Sequence, residues 1–126
     1  MSEPTQTIFQ AVGGLPTFVR LVDAFYRGVE SDPLLRPMYP ADLTESREHL
    51  ALFLAQYFGG PGTYSEQRGH PRLRMRHAPF VIGEAERGAW LRHMTEAVRS
   101  MSFAPQIEQR LLAYFETAAE AMVNAR

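Results

Sequence analysis

The residues best suited to chemistry in this 126-residue chain lie in one stretch, from Tyr64 to Phe80. Between Arg68 and His77 this stretch carries four arginines and two histidines but no acid, although the whole chain has a formal net charge of -1. Apolar residues are interleaved with the basic ones, which favours a pocket wall over a disordered segment. The pattern predicts a long polar loop that holds an anionic ligand near His77.

Other site chemistries find little support. The chain has no cysteine, which excludes disulfides, thiolate catalysis, iron–sulfur clusters and covalent c-type haem attachment. His49, His70, His77 and His93 are never three to five residues apart, so a zinc site on one helix is not indicated. The basic stretch could contact nucleic-acid phosphates, but the isoelectric point of about 6.4 is far from the basic range of such domains. We therefore expect no nucleic-acid partner.

A haem explains more of these residues together. It needs one axial imidazole, an apolar slot, cations for its two propionates and polar donors on the far face if it is to hold oxygen. His77 can supply the imidazole, and the neighbouring arginines can meet the propionates by charge-assisted hydrogen bonds. The candidate donors are Tyr26, Tyr39 and Trp90. On spacing alone, Tyr39 and Trp90 fit better as core aromatics, and only the joint pattern with His77 favours the donor role.

The elements that position these residues are predicted to be helices. Apolar residues recur at three- and four-residue spacing in four segments. A helix begins near Pro16; a second follows a capping box formed by Asp42 and Glu45; a third carries Trp90; and the last begins near Pro105. The second helix is predicted to turn one face inward, with Leu43, Ser46, Leu50, Phe53, Leu54 and Tyr57.

No strand-like alternation occurs, so the fold class is predicted to be all-α. At this length we expect one domain over residues 1–126, with residues 1–7 loose. No apolar run approaches the roughly 20 residues of a membrane helix, and the start MSEPTQT lacks the features of a signal peptide. These features predict a cytoplasmic protein without a membrane partner.

One resemblance covers nearly the whole chain. The run GGPGTYSEQRGHPRLRMRHAPF, followed by Trp90 thirteen residues after His77, resembles the truncated haemoglobins, specifically their second group. The similarity continues through FY at 25–26, LRPMYP at 35–40 and FLAQYFGG at 53–60 to AMVN at 121–124. The resemblance implies a two-over-two arrangement of α-helices around haem b, with His77 as the proximal iron ligand.

The resemblance also implies roles for individual residues. The distal ligand-binding residues would be Tyr26, Tyr39, Trp90, Ser46 and Leu50. The residues contacting the haem or its propionates would be Phe53, Leu54, Tyr64, Arg74, Arg76 and His49.

The implied function is reversible binding of oxygen, other diatomic ligands or sulfide, with redox side chemistry. The alternative is an enzyme that dioxygenates nitric oxide or reduces peroxide. The implied partners are a gas ligand, a reductase that could dock on the basic stretch, and a second copy in a homodimer.

Overall fold

The computed structural model describes residues 6–125, except for the side chains of Arg74 and Arg76. Over this range the chain is helical and contains no strand, as the all-α prediction requires. The elements are α1 (Ile8–Ala11), α2 (Leu15–Glu30), a 3-10 turn (Arg36–Met38), α3 (Thr44–Tyr57), α4 (Thr63–Arg68), α5 (Leu73–His77), α6 (Glu84–Ser100) and α7 (Pro105–Met122).

Four long helices form two packed pairs. Helix α2 packs against α3, α6 packs against α7, and α2 also crosses α6. Their shared core contains fully buried side chains from all four helices, including Phe18, Leu54, Met94, Leu111 and Phe115. This is the predicted two-over-two arrangement, and its stability comes from apolar burial on helix faces whose spacing matches the helical period.

The chain before α2 is more ordered than expected. Thr7 and Gln10 form a capping box, in which the Thr7 hydroxyl accepts from the Gln10 amide at 3.1 Å and the Gln10 side chain accepts from the Thr7 amide at 3.1 Å. The expectation of a loose stretch over residues 1–7 is therefore wrong at Thr7, and residues 1–5 lie outside the described residues.

Helix α3 differs from its prediction in two ways. Asp42 does not form a capping box with Glu45; its carboxylate accepts from the Thr44 amide at 2.9 Å, and the helix begins at Thr44. The predicted inward face is also divided, because Tyr57 is 55% exposed while Leu54 is buried in the core. One side of α3 packs on α2 and the other is left to face a cavity.

The stretch predicted as a long loop contains two short helices, α4 and α5. They span six and five residues, too few for an apolar period to show in the sequence. The link between them is set by left-handed backbone at Gly69 (φ 76°) and Arg72 (φ 47°). The prediction of a loop was wrong here because local geometry, not periodicity, defines these helices.

Two polar ties fix the ends of the helices. The Asn124 carboxamide donates to the carbonyls of His77 at 3.4 Å and Phe80 at 2.8 Å, and it accepts from the Ile82 amide at 2.8 Å. We call these three bonds the Asn124 clamp. Asp32, just after α2, accepts from His93 of α6 at 2.7 Å.

Across residues 6–125, no helix is long and apolar enough to cross a membrane.

Candidate functional site

A cavity of about 410 Å³ opens between α3, the α4–α5 segment and the inner ends of α2 and α6. It is lined by Tyr26, Met38, Tyr39, Ser46, His49, Leu50, Phe53, Tyr64, Arg68, Leu73, His77, Phe80 and Trp90. Most of the candidate site residues from the sequence therefore meet in one space, although they come from five helices and two connecting segments.

One side of the cavity is the His77 wall, formed by Leu73, His77 and Phe80. The His77 Nδ1 lies 2.6 Å from the Leu73 carbonyl, one helical turn earlier. A carbonyl oxygen can only accept, so Nδ1 carries a proton. Leu73 is thus the backbone partner of this imidazole, and Nε2 is the nitrogen that the ring would offer to a metal.

A second group of side chains lining the cavity consists of Tyr26, Tyr39, Ser46 and Trp90, and we call it the Tyr/Trp wall. The rings of Tyr26 and Tyr39 stand nearly perpendicular, at 85°, with centroids 5.5 Å apart. The ring of Trp90 packs edge-on against that of Phe25, with centroids 5.5 Å apart. Tyr26 and Trp90 belong to α2 and α6, so their positions are set by the packed core, whereas Tyr39 follows the 3-10 turn and Ser46 belongs to α3.

The phenols of this wall keep their protons at neutral pH. Burial, followed by the nearby Tyr39, raises the pKa of Tyr26, and a hydrogen bond with Ser46 opposes the rise. Burial raises the pKa of Tyr39 to about 12, against the opposing effect of a hydrogen bond with Trp90. The Trp90 indole N–H can only donate, so it donates to the Tyr39 oxygen and leaves the Tyr39 proton available for another acceptor.

The rim of the cavity carries polar groups. Arg68 Nη1 lies 3.1 Å from Nε2 of His49, and both residues line the cavity. Tyr64 is buried, and its ring meets Phe53 edge-on at 5.5 Å. A cation and hydrogen-bond donors at the mouth of an apolar slot suit a ligand with an apolar body and anionic ends.

Not every predicted residue lies on the cavity. Leu54 is a core residue, because it lies one position beyond Phe53 and so turns about 100° around the helix towards α2. The side chains of Arg74 and Arg76 lie outside the described residues. Arg68 was not among the predicted contact residues, and its position at the end of α4, next to His49, makes it part of the rim.

The residues present fit a haem. The cavity offers one imidazole, an apolar slot lined by Met38, Leu50 and Phe53, and two protonated phenols. A haem bound here would take the imidazole nitrogen as an iron ligand, and the phenols would be available to donate hydrogen bonds to a ligand of the iron.

Comparison with known proteins agrees with this geometry. The profile of the family described as "Bacterial-like globin" matches residues 7–124. The chain is a bacterial-like globin. It also shares 40% identity over 124 residues with the group 2 truncated haemoglobin YjbI of Bacillus subtilis, covering 98% of this chain and 93% of that protein. It thus belongs to the group 2 truncated haemoglobins, as the resemblance in the sequence implied.

Solved structures resemble this truncated haemoglobin along almost its whole length. The haemoglobin of the thermophilic phototrophic bacterium Chloroflexus aurantiacus is 55% identical, with a TM-score of 0.93 and coverage of 95% of this chain and 99% of that one. A truncated oxygen-avid haemoglobin from Bacillus subtilis is 41% identical, with a TM-score of 0.89 and coverage of 94% and 100%. Globins of this family bind haem b, and with it oxygen.

Proposed function

We propose that this globin binds oxygen reversibly, with His77 as the proximal ligand of haem iron and the Tyr/Trp wall as the distal hydrogen-bond network. Haem, when bound, supplies an iron that takes a diatomic ligand on the face opposite the histidine. The observation that carries the proposal is that one cavity is lined both by His77, whose Nδ1 is held by the Leu73 carbonyl, and by two protonated phenols, those of Tyr26 and Tyr39.

His77 has the protonation that a neutral proximal ligand requires. Its Nδ1 proton is donated to the Leu73 carbonyl, which fixes the tautomer and the plane of the ring. The partner is a neutral carbonyl rather than a carboxylate, so the imidazole gains little extra basicity. A more basic imidazole would favour higher iron oxidation states, so this partner favours ligand binding over peroxidase turnover.

The Tyr/Trp wall supplies directed donors. Trp90 donates to the Tyr39 oxygen, which leaves the Tyr39 proton free for an acceptor in the cavity. Ser46 forms a hydrogen bond with the Tyr26 hydroxyl. Hydrogen bonds of this kind strengthen as negative charge develops on the acceptor, so they slow the escape of oxygen more than that of carbon monoxide. The name of the oxygen-avid Bacillus subtilis relative supports the same expectation for this chain.

The remaining residues complete the cofactor site in this proposal. Leu50 and Phe53 face the haem, and Tyr64, His49 and Arg68 meet its propionates. Arg74 and Arg76 are proposed as further propionate contacts on the strength of the sequence alone. The whole of residues 1–126 then acts as a single domain. Sulfide and other diatomic ligands, a reductase docked on the basic stretch and a homodimer remain part of the proposal.

The experiment uses haemin-reconstituted protein, reduced and exposed to carbon monoxide and then to oxygen. We expect a Soret band that shifts with each gas and an oxygen complex that releases its ligand slowly. Adding nitric oxide with a reductase distinguishes the alternative: one stoichiometric burst supports ligand binding, whereas sustained nitrate formation supports a dioxygenase. Failure to retain haemin in a one-to-one ratio would refute the proposal.

A further inference from the structure

An ion pair between α2 and α3 lies outside the cavity and takes no part in the site described above. The guanidinium of Arg47, near the start of α3, contacts the carboxylate of Glu30 at the end of α2. Both side chains are partly exposed, at 36% and 47%. The Nε atom of Arg47 is nevertheless buried, and it has no hydrogen-bond partner among residues 6–125. Arg47 therefore holds a partly covered positive charge between the two helices.

The ion pair is next to one end of the Tyr/Trp wall. On α2, Tyr26 precedes Glu30 by four residues, and on α3, Ser46 immediately precedes Arg47. Tyr26 and Ser46 share a hydrogen bond, so two polar contacts join α2 and α3 about one helical turn apart. The inner contact lines the cavity, and the outer contact is open to solvent.

The phenol of Tyr26 is close enough to Arg47 to sense its charge. Burial, followed by Tyr39, raises the pKa of Tyr26; the hydrogen bond with Ser46, followed by the positive charge of Arg47, opposes the rise. A nearby cation that favours the phenolate also polarises the neutral O–H bond, which makes the hydroxyl a stronger donor. A negatively polarised acceptor in the cavity is therefore held more tightly when Arg47 is present.

We propose that Arg47 is a positioning residue for ligand binding, whose positive charge strengthens the hydrogen bond that Tyr26 donates to a bound ligand. The inference rests on the proposed function, in which the Tyr/Trp wall donates to oxygen. Glu30 pairs with the guanidinium, and its negative charge partly cancels the field of Arg47 at the phenol. The cation and the anion thus have opposite effects on Tyr26, although loss of either one breaks the same ion pair.

The surroundings of Arg47 keep its charge in place when Glu30 is removed. Its Nε is covered by protein, and its side chain lines a groove between α2 and α3 together with Asp23 and Glu48. A purely structural ion pair makes a different prediction. If the pair only fixes α3 against α2, loss of either partner loosens the cavity wall in the same way. The sign of the effect at Glu30 therefore separates the two roles.

The test measures oxygen dissociation and the C–O stretching frequency of the carbon monoxide complex in haemin-reconstituted protein, at low ionic strength where charges are least screened. A positive field near the ligand lowers this frequency. Arg47→Met should release oxygen about threefold faster and raise the frequency. Arg47→Lys keeps the charge and should restore both values. Glu30→Gln should release oxygen no faster than the wild type and should lower the frequency.

Arg27→Met is the matched control, because it removes an exposed arginine from α2, next to Tyr26 in the sequence. Both of its readouts should equal those of the wild type. Urea unfolding of the haem-free protein gives an independent readout. Arg47→Met and Glu30→Gln should lower its midpoint by similar amounts, as partners in one ion pair do.

Two results would overturn the inference. Faster release with a raised frequency in both Arg47→Met and Glu30→Gln would show that the pair acts only by holding α3. An unchanged frequency in Arg47→Met would show that its charge does not reach the ligand. If the wild type does not retain haemin, the absorption spectrum shows it before any gas is added; the proposed function then fails, and this inference with it.

Discussion

The two walls of the cavity are built in different ways. Two residues of the Tyr/Trp wall, Tyr26 and Trp90, belong to α2 and α6, helices of 16 and 17 residues that cross in the core. The other two, Tyr39 and Ser46, come from the end of the 3-10 turn and from α3, which packs against α2. The His77 wall stands on α5, which has five residues and contacts α7 alone among the more extensive helix contacts. Its exposed neighbours Met75 and Val81 contribute little burial. The first wall is held by apolar packing, and the second depends on a few hydrogen bonds.

This difference predicts different functions for the two walls. Donors to a small ligand must be placed within a few tenths of an ångström, which a packed core achieves because its side chains have few alternative positions. A wall that admits a large cofactor must open, and segments with low local packing do so at low free-energy cost. We therefore expect substitutions in the His77 wall to affect haem retention and those in the Tyr/Trp wall to affect ligand release.

The largest expected effect is that of His77→Ala, which removes the axial nitrogen while leaving the Tyr/Trp wall intact. The variant should lose the histidine-ligated spectrum and most haemin binding. Absorption spectroscopy after reconstitution is the measurement. His70→Ala, which removes an exposed imidazole from the same segment, is the control and should leave the spectrum unchanged. An unaltered spectrum for His77→Ala would assign the axial bond to another residue.

Tyr39→Phe should affect the other wall. Loss of its hydroxyl removes a donor to bound oxygen worth about 1.4 kcal/mol or more, so oxygen should dissociate about tenfold faster. Carbon monoxide is a weak acceptor, and its dissociation should change little. Stopped-flow ligand replacement measures both rates, with Tyr57→Phe as a control that removes a hydroxyl outside the cavity. Equal acceleration of both gases would mean that Tyr39 acts by blocking the exit instead.

Asn124→Ala tests whether the His77 wall depends on the Asn124 clamp. Removing three hydrogen bonds should lower the free energy of unfolding by about 1–3 kcal/mol and speed haemin loss to an acceptor apoprotein. Asn124→Asp keeps the acceptor for Ile82 but loses both donated bonds, so its haemin loss should be intermediate. Oxygen dissociation should stay near the wild-type rate in both variants; a large change would show that the two walls are not independent.

The smallest expected effect concerns the hydrogen bond between His93 and Asp32. The hydrogen bond from His93, followed by that from the Leu34 amide, lowers the pKa of Asp32, whose side chain is 9% exposed. A carboxyl whose pKa is lower in the folded than in the unfolded protein stabilises the fold at pH values above its unfolded-state pKa. This stabilisation is lost as the pH falls through the folded-state pKa. Asp32→Asn should therefore cost about 1 kcal/mol at pH 7.

The difference between wild type and Asp32→Asn should close between about pH 5 and pH 2, where the wild-type carboxylate is protonated. Denaturant unfolding across this range measures it. Glu116→Gln, an exposed acid on α7, is the control and should show no such convergence. A difference that persists at pH 2 would assign the stabilisation to shape rather than charge.

The sequence predicts the Tyr/Trp wall better than the His77 wall, for the same physical reason. Long helices repeat their apolar period several times, so α2, α6 and α7 can be recognised and Tyr26 and Trp90 placed on them. Helices α4 and α5 are each shorter than two turns, and their bounds depend on single residues such as Gly69. Leu54 was misplaced because a helix with both a core face and a cavity face does not reveal which apolar residue belongs to which.

Long-range contacts mark the other limit of the prediction. Arg68 and His49 are 19 residues apart, and Asn124 and His77 are 47 apart, so no local pattern pairs them. The family resemblance recognised AMVN at residues 121–124 as part of the pattern, but it gave no reason for the asparagine. The structure supplies one, because the carboxamide bonds three backbone groups at the end of α5 and in the segment that follows it.

The position of the Asn124 clamp in the chain also determines the order of assembly on the ribosome. Synthesis runs from the amino end, so His77 leaves the exit tunnel 47 residues before the asparagine that fixes its segment. Tyr26 and His77 are therefore synthesised before the residue that holds the His77 wall in place. If His77 ligates haem as proposed, the hydrogen bonds that hold its segment can form only after Asn124 has been synthesised, so we expect stable haem binding only in the completed chain.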